Sequence, residues 1–265
     1  CSEESLIGDT CPTDCKVIRI TEKDDFRRAE TTDMVLSHIR FKSDAVWAAM
    51  PCTGGSPLQR INILKGGETA LKIEGHWKLY RQLWTQFEKV VSHTVELGAT
   101  ICWEWPLQCA YWRDRRVQKV IQKYGLMRVR VDGCMYGLIA ERSGVQGSPM
   151  QKSWIICTNS NSVVEHLARK CDHSHTHVRV EGNDTKRTEC YTIELVHAIH
   201  VALSMAAECN SHVDRCFSCP CVSFSCLTSA DAHFPEASTS GNILQSCNKT
   251  ANETTVSEAI VCSTP

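Results

Sequence analysis

Ala45-Val46-Trp47-Ala48-Ala49-Met50 is a short, continuous apolar run that stops at Pro51. A strand covered on both faces of a sheet needs such a run, because neither face offers water to a polar side chain. A second run, Ala99 to Trp103, lies downstream and ends in Glu104-Trp105-Pro106. Between the two, Trp77, Tyr80, Leu83, Trp84, Phe87, Val90 and Val91 recur at helical spacing, and the pattern stops near Gly98. Pro51 to about Gly75 is rich in Gly and Pro and reads as a loop. Strand, helix, strand is the unit of an α/β sheet.

Upstream, Cys15 to Ile20 is β-branched and unbroken, as a strand requires, and Phe26 to Ile39 is loosely helical. Asp114 is placed to cap a helix carrying Val117, Val120, Ile121 and Tyr124, with Gly125 as its stop. Leu126 to Val131 alternates Arg128 and Arg130 against Val129 and Val131, a half-exposed strand. Asp132-Gly133 has two readings: a tight hairpin into a strand over Cys134 to Ala140, or a strand end whose loop faces a ligand. Trp154 to Cys157 reads as a last strand. Ser160 or Ser162 caps a helix to Lys170, and a final helix spans Thr192 to Ala207. The expected architecture is α/β: a Rossmann-like, mostly parallel sheet with helices on both faces. Residues 1–14 form a flexible lead and 15–207 the domain. Residues 208–265, rich in Cys, Ser, Thr and Asn, are expected to be a disordered tail.

The 265 residues carry 29 basic and 30 acidic side chains, so the bulk charge names no partner. No apolar run approaches the ~18 residues of a membrane span, and the N-terminus lacks the basic and apolar regions of a secretion signal. An intracellular setting, cytoplasmic or nuclear, is the expectation, with Cys1 as the start of a fragment of a longer chain. Among the 17 cysteines, Cys52, Cys102, Cys109, Cys134, Cys157 and Cys190 stand singly in apolar or strand-like stretches, where thiols pack as small hydrophobes. In a reducing compartment, crowded cysteines suggest metal before disulfide.

In open α/β sheets ligands bind beyond the carboxyl ends of the strands. Cys52, before the Gly54-Gly55 loop, and Glu104 both fall there, and could share one cleft. A thiol beside a helix start is expected to ionise readily and act as a nucleophile, with a carboxyl group to bind or protonate the ring under attack. A buried thiol beside a turn, with Glu104 capping a helix, is the competing reading.

Cys171-Asp172-His173-Ser174-His175-Thr176-His177 is the second chemical cluster. Thiolate and imidazole suit zinc, and alternating histidines on an extended segment direct His173, His175 and His177 to one side. Cys171 with these histidines is the candidate metal set, against a solvated polar loop. Cys209, His212, Cys216 and Cys219 offer ligand types at looser spacing in the tail. Trp112, Arg113 and Arg115 combine an aromatic ring with guanidinium groups, a nucleic-acid contact pattern that a helix start with a solvated basic face also produces.

Pro51-Cys52 with Ser56 resembles the Pro-Cys-x-x-x-Ser loop of DNA cytosine-5 methyltransferases, and Glu104-Trp105-Pro106 stands where that family has Glu-Asn-Val. The runs 51–57, 104–106, 109–114 and 132–138, with Arg169-Lys170-Cys171, resemble a methyltransferase-like segment of protist retroelement-like polyproteins and related uncharacterised proteins. The resemblance implies a cysteine that adds to carbon 6 of a flipped-out cytosine, a glutamate on ring nitrogen 3, and S-adenosylmethionine as methyl donor. It casts Cys52, Glu104 and Ser56 as catalytic. The chain departs from the family at Met50 and Gly55, lacks Asn and Val after Glu104, and contains no Gly-x-Gly for a cofactor loop. Two readings remain open: a degenerate or fragmentary methyltransferase-like domain addressing nucleic acid, and a non-catalytic, zinc-pinned binding or scaffold module whose partners include other polyprotein segments.

Overall fold

The computed structural model describes residues 5–11, 15–216 and 258–263. In chain order the helices and strands are α1 (Leu6–Asp9), β1 (Lys16–Ile20), α2 (Ala29–His38), β2 (Ala45–Ala49), α3 (Gln59–Asn62) and α4 (Gly67–Leu97). They continue with β3 (Thr100–Pro106), α5 (Arg115–Lys123), β4 (Met127–Asp132), β5 (Ser153–Thr158), α6 (Asn161–Leu167), α7 (Asn183–Arg187), α8 (Ile193–Cys216) and β6 (Glu258–Ser263).

The strands form one mixed sheet in the order β1-β6-β2-β3-β5-β4. The expectation of a mostly parallel sheet is corrected: β2 and β3 pair in parallel, whereas β1/β6, β2/β6, β3/β5 and β4/β5 are antiparallel. By this pairing β1, β2, β3 and β4 all run the same way, as strands joined through helices do. β6 and β5, reversed, lie between them. β5 returns from β4 through 133–152, a stretch with no α-helix to carry the chain back across the sheet. β6 comes from the region read as an unstructured tail, yet it lies between β1 and β2, with Ala259 opposite both Ile20 and Ala48.

Strand alternation sends neighbouring residues to opposite faces. Val46, Ala48, Ile101, Trp103, Trp105 and Cys157 face α2, α4 and α5, where Val35, Tyr80, Trp84, Phe87, Val91 and Val120 are buried. Ala45, Trp47, Cys102, Val129, Val131 and Ile156 face α1, α6 and α8, against Ile7, Val163, Leu167, Val196 and Ile199. Each fully buried large side chain contributes about 1.5–3 kcal/mol, so the double cover holds the sheet between two helical layers.

Local rules set the ends of these elements. Gly98 stops α4 in the left-handed region at φ 81°, where an L side chain is strained. Asp114 accepts the Arg116 N–H at 2.8 Å to start α5, and Ser160 accepts from Val163 to start α6. The loop expected over Pro51 to Gly75 instead holds α3 and the first turns of α4. The hairpin reading of Asp132-Gly133 is also corrected: Gly133–Tyr136 is a single 3-10 turn, and no strand forms over Cys134 to Ala140.

Candidate metal centre and thiol–carboxylate site

Two segments meet where β4 ends. The turn Gly133–Tyr136 carries Cys134, and the stretch after α6 carries Cys171, His175 and His177. Asp132 ties them together. Its backbone N–H reaches the Arg169 carbonyl at 3.0 Å, and its Oδ2 accepts the Cys171 N–H at 2.8 Å. Oδ1 accepts from Arg130 Nε at 2.8 Å and from the Ser153 hydroxyl. Burial would push the Asp132 carboxyl up, but the bonds from Arg130, Ser153 and Cys171 outweigh it and hold its pKa below the usual carboxylate range. Tyr136 adds a second tie, donating to the Leu167 carbonyl at 3.3 Å under the Arg169 guanidinium.

The group so assembled could hold a metal ion: one ligand atom from each of Cys134, Cys171, His175 and His177, all within 4.8 Å of one another. Cys171 Sγ lies 3.5 Å from both His175 Nε2 and His177 Nε2. His177 Nε2 is 3.0 Å from His175 Nε2 and 3.3 Å from Cys134 Sγ. A tetrahedral ion with Zn–S near 2.3 Å and Zn–N near 2.0–2.1 Å has S–N edges of about 3.5 Å and N–N edges of about 3.3 Å. The three S–N distances and the N–N distance lie within about 0.3 Å of those edges.

His173, expected among the ligands, is not in the group. A turn closed by Asp172 Oδ1 on the Ser174 N–H at 3.0 Å puts His173 at φ 61°, which breaks the alternation that would have aligned it with His175. It contributes its backbone instead, donating N–H to Cys171 Sγ at 3.3 Å, the kind of outer contact that orients a sulfur ligand. Cys134 takes the fourth place. Its thiol is pushed up to about 11 by burial and by Cys171 beside it, while burial with the neighbouring His175 and His173 holds the His177 imidazole below its usual value.

The second site lies at the carboxyl ends of the parallel pair. Glu104 stands opposite Ala49 in the β2/β3 register, and Cys52 comes three residues after Ala49. The backbone there is pinned, with Trp105 Nε1 donating to the Met50 carbonyl at 3.2 Å and the Gly55 N–H donating to the Cys52 carbonyl at 2.9 Å. Gly54 and Gly55 are demanded by close approach. A Cβ on Gly54 would lie 2.5 Å from Tyr111 Oη, and one on Gly55 would lie 2.5 Å from Cys109 Sγ. Ser56 closes the turn through its backbone N–H on Thr53.

Burial pushes the Cys52 thiol up to about 11; the Glu104 carboxylate adds to the rise and the Lys152 ammonium opposes it. The easily ionised thiol expected beside a helix start is corrected, since Cys52 leads only into the three-residue turn Thr53–Gly55 and burial dominates. Burial also holds the Lys152 ammonium below its usual value, against Glu104, Cys52 and Glu189. Lys152 Nζ donates to the Thr188 carbonyl and lies 5.2 Å from the Trp154 ring centre.

Trp112 is corrected as a nucleic-acid contact. It is 6% exposed, donates Nε1 to the Pro106 carbonyl at 3.2 Å and packs edge-on to Trp105, so no base can stack on it. Arg113 and Arg115 are exposed where α5 begins. Sequence reasoning missed Cys134, read as a packed thiol, and Lys152, which stands in no motif. The tail cysteines Cys219, Cys221 and Cys226, and the side chains of His212 and Cys216, lie outside the described residues. Among those residues no helix is long and apolar enough to cross a membrane. No protein-family model, curated protein or solved structure matches the chain.

Proposed function

We propose that this chain is a zinc-pinned α/β binding module of a retroelement-like polyprotein. The single observation that supports the reading is the convergence of one ligand atom each from Cys134, Cys171, His175 and His177 within 4.8 Å of one another. Two thiolates and two imidazoles select zinc over the hard cations, and four protein ligands leave no open position for a reacting water. The ion is structural: it staples the end of β4 to the segment after α6. Arg113 and Arg115 offer the module a basic contact for nucleic acid.

Elemental analysis of the purified chain tests it, with one zinc per chain expected. Cys134→Ala and His177→Ala should each remove the ion, and a chelator should lower the Tm of the native chain. A metal-free preparation whose Tm does not rise on adding zinc would refute the reading.

A second reading, a methyltransferase-like domain that addresses a nucleobase, is favoured by the convergence of Cys52 and Glu104 at the carboxyl ends of β2 and β3. In it Cys52 supplies the sulfur for addition and Glu104 the carboxyl for the ring, with S-adenosylmethionine as donor. The missing Gly-x-Gly leaves that cofactor without its usual cradle. Calorimetric titration with S-adenosylmethionine separates the two: heat of binding supports the second reading and none supports the first.

A further inference from the structure

Between Gly55 and Ile73 no residue is buried, although the stretch is helical for most of its length. It follows the carboxyl end of β2 as α3, continues through the 3-10 turn Ile63–Lys65 and returns as the first turns of α4. Its large side chains are aliphatic and stand in water: Leu58, Ile61, Ile63, Leu64 and Leu71 are 67%, 63%, 48%, 84% and 68% exposed. Four of them, all but Ile63, are the most exposed large apolar side chains among the described residues. A spacing of three keeps Leu58, Ile61 and Leu64 on one side of so short a helix and 3-10 turn. Scattered exposed aliphatics are ordinary, but a group of them marks an interaction site. The chain reverses at Gly66 and Gly67, both at positive φ, where an added Cβ would meet nothing within 4 Å. The stretch is therefore a projecting tip and not the wall of a groove.

Charge identifies what covers the tip. Arg60, Lys65 and Lys72 are exposed on it, against the single carboxylate of Glu68. Among the described residues these three cations make no side-chain hydrogen bond or ion pair. We propose that the tip docks the protein on an anionic lipid bilayer. Leu58, Ile61 and Leu64 enter the boundary between headgroups and acyl chains, about 5–10 Å deep, while the three cations meet the negative headgroups. Long basic side chains suit that layer, because their aliphatic stems lie along apolar surface and their charged ends stay in water. A second copy of the chain is a poorer occupant, since an isologous contact would press the same unpaired cations against one another. Protein interfaces seat their anchors inside a rim that excludes water, and nothing shields Leu64 in that way. The docking is peripheral, as no helix among the described residues is long and apolar enough to cross a membrane. It stands apart from the zinc reading and does not depend on it.

Co-sedimentation of the full chain with sucrose-loaded vesicles tests it, with phosphatidylcholine alone and with phosphatidylcholine and phosphatidylserine at three to one. The wild type should bind the anionic vesicles and come off as salt is raised. Leu64→Asn should weaken partitioning by at least about tenfold, the loss of one leucine from the apolar layer. Lys65→Gln should weaken it by about fivefold on the anionic vesicles. Both side chains are exposed, so the Tm of each variant should match that of the wild type and loss of binding is not loss of fold. Lys119→Gln, on the exposed face of α5, controls for adsorption through basic surface elsewhere and should bind as the wild type does. A wild-type chain that stays in the supernatant with both vesicles overturns the proposal. Anionic binding that Leu64→Asn leaves unchanged overturns it too, since the contact then lies elsewhere. A chain that sediments as a dimer, turns monomeric with Leu64→Asn and ignores vesicles assigns the tip to a second copy and overturns it as well.

Discussion

Gly133→Ala should destabilise the chain, while Gly75→Ala should stabilise it. A Cβ built at Gly133 lies 2.7 Å from Leu138 Cδ2, 2.9 Å from Trp154 Cζ3 and 3.1 Å from the Lys152 carbonyl oxygen. Leu138 and Trp154 are 2% and 4% exposed, so neither has room to retreat, and the third neighbour is backbone. Gly133 is not in the left-handed region, so the cost is steric alone. Overpacking of this kind costs about 1–3 kcal/mol. For a domain of this size each kcal/mol moves Tm by about 2–4 °C, which predicts a fall of about 2–12 °C. At Gly75, inside α4, a Cβ meets nothing within 4 Å. There the methyl group only restricts the unfolded chain and improves helix propensity, a gain of about 0.5–1 kcal/mol and a rise of about 1–4 °C. Differential scanning calorimetry of both variants at fixed zinc decides it. A Tm for Gly133→Ala equal to or above that of the wild type would refute the packing argument.

His173→Ala should keep the zinc, because only its backbone N–H meets Cys171, whereas His177→Ala should lose it; elemental analysis showing zinc lost from His173→Ala would contradict the ligand set. Labelling of Cys52 should rise about tenfold per pH unit from pH 7 to 10, since a thiol titrating near 11 gains thiolate throughout that range. A plateau below pH 9 would show a thiol that burial does not govern. The exposed Cys190 and Cys209 should label before the buried Cys102 at any pH. Trp112→Ala should cost about 3–5 kcal/mol in chemical denaturation as a core truncation, while Arg113→Ala and Arg115→Ala should change stability by less than about 0.5 kcal/mol. If the two arginines meet phosphates, each substitution should lower the salt dependence of oligonucleotide binding by about one contact; an unchanged slope counts against them.

The elements whose burial is uniform along one face were legible. β2 is apolar throughout because both its faces are covered, and α4 shows its stripe because one face meets β2 and β3 while the other meets water. Caps at Asp114 and Ser160 and the stop at Gly98 were readable because each needs one residue type with one geometry. Strand order was not. Nothing in Trp154 to Cys157 distinguishes a strand added in parallel from one that returns between β3 and β4, since a covered strand has the same composition either way. β6 was hidden for a different reason. Its apolar run, Ala259 to Cys262, is short and stands after a long stretch rich in Ser, Thr and Asn, with no neighbouring periodic element to mark it as part of the sheet.

The sites divide along the same line. Cys171, His175 and His177 lie within seven residues, so their ligand chemistry shows in the sequence, while their fourth partner, Cys134, comes from the far end of a connection that only the fold closes. Read alone, Cys134 is one thiol in an apolar stretch, and the turn that aims it depends on Gly133 fitting against Leu138 and Trp154. His173 shows the converse error. Periodicity treats every second residue of an extended segment as equivalent, but Asp172 captures the Ser174 N–H and diverts one residue into a turn. Lys152 is the extreme case, since no motif contains it and the carbonyl that its side chain meets, that of Thr188, lies 36 residues further along the chain. A backbone clamp between two ligand-bearing arms places it, and a clamp of main-chain N–H and C=O groups leaves the identity of nearly every residue in it unconstrained. Gly133 is the exception, because there a side chain would occupy the space in which the arms meet. A residue can therefore be firmly placed and silent in the sequence when the groups that position it are the ones every amino acid shares.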